Sequence, residues 1–170
     1  MNGNLKILLG SAAAATIIAS AALATQSTGI DTNAILSTGT AIRDIHAHGT
    51  LQIPGMDEDF TAGVDTEGAS NVIQQEVRFL PGGTTGWHRH PGLVVLTLAA
   101  DSGSVEWYDA KCGKTTYHAG DSWTEGTKLH DVVNRSAIDA HFLVTYIVAK
   151  DIPQRTDEPA PKCAAALGLL

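Results

Sequence analysis

The sequence predicts an all-β domain, either a closed barrel or a two-sheet sandwich. Three observations carry this. Strand-like runs between residues 71 and 149 are short and closely spaced. Turn signals separate them, at Pro81-Gly82-Gly83, Asp101-Ser102-Gly103 and Ala119-Gly120-Asp121 among others. No stretch beyond the first 24 residues carries a convincing helical period. Closed barrels and double-sheet jelly rolls are the architectures by which such chains manage exposed strand edges. A chain of 170 residues fits one domain, large enough to hide roughly two-thirds of its unfolded surface.

Residues 1–24 read as a secretory signal. Lys6 is the one charge before Asp31, an apolar run follows it, and the run closes on Ala22-Leu23-Ala24, a small-x-small cleavage pattern. A retained membrane anchor is the competing reading, since the run approaches spanning length. With cleavage, no stable membrane span remains, and the protein is exported to the cell envelope or beyond (the periplasm in a Gram-negative cell). Residues 25–69 are assigned as a flexible lead-in, small and polar over 25–40, then an N-terminal wrapping segment with a loop over 54–70.

The barrel is placed at residues 70–150. Residues 71–80 alternate apolar and polar and stop at the Pro-Gly-Gly turn. Residues 93–98, Leu-Val-Val-Leu-Thr-Leu, are an unbroken apolar run and predict a buried strand. Residues 105–108 and 115–118 are short strands flanking the turn Lys111-Cys112-Gly113-Lys114. Residues 130–134 form another strand, and 140–149 carry the strongest strand signal in the chain. Residues 151–170 are a Pro-rich tail.

The formal net charge is −7. That argues against nucleic acid and against anionic membranes as partners, both of which reward basic patches. The two cysteines, Cys112 and Cys163, lack the short spacing of a zinc site. In an exported chain they predict a disulfide that ties the tail to a hairpin and closes a loop of about 50 residues, contributing about 4 kcal/mol.

Of the seven histidines, His88 and His90 matter most. Residues two apart on a strand share a face and stand about 6–7 Å apart along it, so both imidazoles can reach one ion. A third ligand has to come from another strand, and His130 is the best placed. Three histidines leave coordination positions open, as catalytic sites do.

The arrangement Gly82-x5-His88-x-His90, then Gly120-Asp121 and His130-x3-Asn134, resembles the two-part signature of the cupin superfamily. More narrowly, Gly86-Trp87-His88-Arg89-His90-Pro91-Gly92 and the late cysteine resemble small exported bacterial cupins. The resemblance spans roughly residues 70–150 and implies a cupin-type jelly-roll barrel with a metal inside it. In the family pattern a glutamate follows the histidine pair. Its place here falls at Val94 or Val95, both apolar. The second half lacks its proline, with Gly126 near that position, and is one residue short between Gly120 and His130. The expected site is therefore His88, His90 and His130 without a carboxylate. Such a set suits Fe, Zn, Cu or Ni better than Mn, and no organic cofactor is indicated.

The function expected is a metal-dependent enzyme acting on a small molecule in the barrel: an oxygenase, isomerase or hydrolase. The alternatives are a non-catalytic barrel for a metal or small ligand, and a metal-free interaction module at the envelope. A homodimer through a barrel face stays open. Trp87 should point away from the ligand face and pack. Trp107 and Trp123 should line a pocket mouth or pack in the core. Glu76 and Glu106 are candidates for a base or replacement ligand, with a solvated face the preferred reading. His46-Ala47-His48, His118 and His141 are expected at the surface or in structural roles, and Asn134 should stabilise its loop.

Overall fold

A computed structural model describes residues 23–169. The signal assigned to residues 1–24 thus lies almost wholly outside the described residues. Twelve strands follow in chain order: β1 (Thr28–Ala41), β2 (His46–Leu51), β3 (Phe60–Asp65), β4 (Ser70–Thr84), β5 (His88–Arg89), β6 (Leu93–Leu98), β7 (Val105–Asp109), β8 (Lys114–Tyr117), β9 (Ser122–Glu125), β10 (His130–Val133), β11 (Ala140–Ala149) and β12 (Thr156–Asp157). One turn of 3-10 helix, Ala164–Leu167, ends the tail. Among the described residues no helix is long and apolar enough to cross a membrane.

All strands but β2 and β3 belong to one nearly closed antiparallel sheet. One side runs β1–β4–β11–β6–β9, and the other runs β8–β7–β10–β5–β12. The 15-residue β4 joins them: it pairs with β11 from Ser70 to Phe79 and reaches β10 at Thr84. Pro81-Gly82-Gly83, which reads as a stop in the sequence, is the corner between these pairings. Gly82 adopts a φ of 81° there, a conformation open to glycine. Asn134 closes the corner, its carbonyl accepting from Gly82 N and its own N–H donating to Gly83 O.

The core lies between the two sides. Along β11, Ala140, Phe142, Val144, Tyr146 and Val148 point inward at the strand period of two. They meet Ile73, Phe79, Val94, Leu96, Leu98, Val105, Trp123 and Val132. A second, smaller cluster covers the outside of the other sheet, where Ala164 and Leu169 of the tail pack on Trp87, Tyr108 and Val133. Trp87 is fully buried there and donates its indole N–H to Leu169 O at 3.0 Å. The disulfide Cys112–Cys163 fastens the same region, as the cysteine arithmetic predicts.

Three expectations need correction. Thr28–Ala41 is a 14-residue strand against β4, not a flexible lead-in. Its Thr, Ser, Gly and Asn content hides a segment whose order comes from the ladder β4 offers, and tertiary pairing overrides weak local propensity. Residues 54–70 are not one loop, because Phe60–Asp65 turns back on His46–Leu51 as a hairpin. The run 93–98 is not buried on both faces: Leu93 and Val95 are 38% and 39% exposed while Val94, Leu96 and Leu98 point inward.

Candidate metal centre

β5 is two residues long, yet it fixes the site. His88 pairs directly with His130 of β10 on one side and with Asp157 of β12 on the other. His90 follows two residues on, so its ring emerges on the same face. Asp131 anchors β10 beside β5 by accepting hydrogen bonds from the Thr84 and Thr85 hydroxyls at 2.6 and 3.0 Å. The structure thus brings His88, His90 and His130 together inside the barrel, with ring centroids 4.3–5.2 Å apart. All three are buried.

A fourth candidate ligand is not apparent from the sequence pattern. Glu125, at the end of β9, joins the three histidines, and their candidate ligand atoms all lie within 4.8 Å of one another. Glu125 is the cross-strand partner of Val94, so it projects into the barrel from the strand next to β6, where the family pattern would place a carboxylate. The available signal was alternation: Trp123 and Glu125 share a face of β9, and Trp123 is core. Glu76 and Glu106 do not enter the site. Glu76 contacts His141, and Glu106 is engaged by Lys114 and Tyr108.

The donor chemistry tests the fit to a metal. Each histidine directs Nδ1 at a backbone carbonyl: His88 to Gly86 at 2.7 Å, His90 to Gln154 at 2.7 Å and His130 to Lys128 at 2.8 Å. A carbonyl only accepts, so Nδ1 carries the proton and a neutral ring turns its Nε2 lone pair inward. Those lone pairs meet another acceptor, since Glu125 Oε2 lies 3.2 Å from His90 Nε2 and 3.0 Å from His130 Nε2. His130 Nε2 is buried without a hydrogen-bond partner of good geometry. Lone pairs and a carboxylate converging on one buried point call for a cation or a trapped proton between them.

Titration follows the same logic. Burial opposes ionisation of Glu125, but contacts with His130 and His90 outweigh it and hold the carboxyl well below the carboxylate range. Burial, then the nearby charges of His130 and Arg155, push His88 well below the usual imidazole value. At His130 burial lowers the pKa and Glu125 more than restores it, so the net direction is up.

Two indoles aim the carboxylate. Trp107 and Trp123 both donate Nε1–H to Glu125 Oε1, at 3.1 and 3.0 Å, leaving Oε2 to the histidines. Trp107 also stacks on His130, with planes 18° apart. These tryptophans therefore support the site rather than merely pack. Asn134 holds its loop as expected, donating to Phe79 O and Ile138 O and accepting from Ser136. His46 and His48 lie on the exposed hairpin, His118 is exposed, and His141 sits among Arg78, Glu76 and Asp101.

The centre opens into a cavity of about 220 Å³, walled by Phe79, Leu96, Phe142 and Val144 and reached by Tyr146 and Arg155.

No protein-family model and no curated protein matches this chain. Solved structures do. A cupin domain from Bordetella pertussis Tohama I is 27% identical, covering 63% of this chain and 97% of its own, with a TM-score of 0.40. An uncharacterized conserved protein with a double-stranded β-helix domain from Klebsiella pneumoniae is 19% identical over 51% of this chain and 73% of its own, TM-score 0.44. The polyketide cyclase RemF from Streptomyces resistomycificus is 15% identical over 56% of this chain and 68% of its own, TM-score 0.41. At these TM-scores none of them carries an activity across. By its own strand order this chain is a nearly closed antiparallel β-barrel of the jelly-roll kind, with the His88–His90 pair meeting His130 inside it.

Proposed function

We propose that this is an exported protein that holds one divalent transition metal through His88, His90, His130 and Glu125, for chemistry on a small molecule in the adjoining cavity. One observation carries the metal reading: three Nε2 lone pairs and a carboxylate oxygen converge, buried, with their other ring nitrogens fixed by backbone carbonyls. Glu125 changes the choice of ion. The preference against Mn rested on a missing carboxylate, and with one present Mn(II) and Fe(II) stand beside Zn, Cu and Ni. Export is supported by the pattern in residues 1–24 and by the disulfide, which persists in oxidising compartments.

When bound, such an ion would supply Lewis acidity or, for a redox-active metal, redox capacity. The protein's own part is orientation. Backbone carbonyls fix the three imidazoles, and the two indoles fix Glu125. That arrangement suits an oxygenase, isomerase or hydrolase.

Elemental analysis of the mature protein, purified from its export route without chelator or His-tag, tests the reading. About one equivalent of transition metal is expected, lost in His88→Ala/His130→Ala. A wild-type protein that carries no metal and takes up none from added Fe, Mn, Zn, Cu or Ni refutes it.

A further inference from the structure

Among the described residues that line the cavity, the one formal charge is positive. No Asp, Glu or Lys contributes to its wall, and Arg155 does. Arg155 comes from the C-terminal tail, just ahead of β12, whose pairing with β5 sets it beside the histidines. Its Nε donates to Asp157 Oδ1 at 2.5 Å and one Nη2 hydrogen to Thr85 O at 2.5 Å. A guanidinium has five N–H groups in a planar fork, so three remain after these two bonds. The side chain is 26% exposed, so the head is held in place without being sealed off.

The wall also carries an apolar stretch, Phe79, Leu96, Phe142 and Val144, beside the neutral polar side chains Ser27, Asn33, Gln75 and Gln154. The cavity, about 220 Å³, is smaller than the roughly 300–1,000 Å³ of sites for drug-sized ligands. One fixed planar cation, an apolar stretch of wall and a small volume together define a ligand class.

We infer that the cavity binds a small organic carboxylate, its carboxyl group on Arg155 and its apolar remainder against Phe79, Leu96, Phe142 and Val144. This deepens the metal-site reading by naming the substrate class, and it makes Arg155 a specificity-determining residue. The carboxylate is selected because a guanidinium fork matches its two oxygens. A neutral amide of the same shape lacks the charge and one acceptor.

The test is a titration of the folded protein, followed by ligand-observed NMR, with butyrate and benzoate and their neutral isosteres butyramide and benzamide. It is run on metal-loaded and on chelator-stripped protein, with metal content measured in parallel. Wild type should bind each acid at least about tenfold more tightly than its amide. Arg155→Met should bring that ratio close to one, and Arg155→Lys should keep part of it. Equal affinity for acid and amide in wild type, or no binding of either acid up to its solubility, overturns the proposal without needing any variant. An acid preference that survives in Arg155→Met also overturns it, because the anion is then held by the ion and not by Arg155. An acid preference in stripped wild type that disappears in Arg155→Met supports it, and elemental analysis then decides the metal separately.

Discussion

Val94 and Glu125 face each other across the β6–β9 ladder. Direct cross-strand partners project to the same side of a sheet, so a carboxylate at either position enters the same part of the barrel. The residue that looks lost in the sequence has a substitute one strand over. Glu125→Gln keeps the shape and an acceptor for the two indoles while removing the charge. Metal affinity should fall by about tenfold or more, with an unchanged far-ultraviolet circular dichroism spectrum. Adding Val94→Glu should recover part of the loss. A Glu125→Gln protein that binds metal like wild type excludes Glu125 as a ligand.

The indole pair gives a finer prediction. Trp107→Phe and Trp123→Phe each remove one N–H from Glu125 Oε1 and leave an aromatic ring. Each should weaken metal binding by up to about tenfold, and the double variant by about 10–100-fold, the range for lost outer-shell partners. Competition against a chelator of known affinity measures it. Thermal stability without metal should change less, and a large apo destabilisation with unchanged affinity would assign both tryptophans to packing alone.

Metal uptake should depend on pH in a definite direction. Burial lowers the pKa of His130 but Glu125 more than offsets it, so the net direction is up and the proton there competes with the ion to higher pH than on an ordinary imidazole. His88 is already neutral near neutral pH and offers no competing proton. Affinity should therefore rise with pH up to the raised His130 value and level off above it, with about one proton released per ion on the rising limb. Calorimetry in buffers of different ionisation enthalpy counts that proton. A pH-independent affinity between pH 5 and 8 would contradict the charge assignment.

The disulfide should matter for stability and for the centre. Intact mass should rise by two hydrogens on reduction. Cys112→Ser/Cys163→Ser frees a loop worth about 4 kcal/mol in the chain-entropy description, which for a protein of this size lowers Tm by roughly 8–16 °C. The freed tail holds Gln154, whose carbonyl orients His90, so metal affinity should fall as well. A lower Tm with unchanged metal affinity would show that β12 stays paired with β5 unaided.

The histidine core of the site is legible because it is local. His88 and His90 need only the period-two rule, and His130 needs only its place at the start of a strand. Glu125 is not legible in that way, because its relation to the histidines depends on which residue of β9 faces Val94, and that register is set by long-range pairing. β1 escaped for a related reason. Thr, Ser, Gly and Asn carry little strand signal by themselves, and the ladder along β4 supplies what they lack. Pro81-Gly82-Gly83 reads as a terminator because the same residues serve turns and sheet corners, and the pairing on both sides decides between them.

The tail has a consequence for the order of assembly. All four candidate ligands precede residue 131 in the chain, yet the carbonyl that orients His90 belongs to Gln154, and the knot that secures the tail belongs to Cys163. A chain emerging from its amino end shows its histidines to the surroundings before it can aim them. The last of the four donors to be aimed is therefore His90, and its aim waits on a carbonyl 64 positions further along the chain.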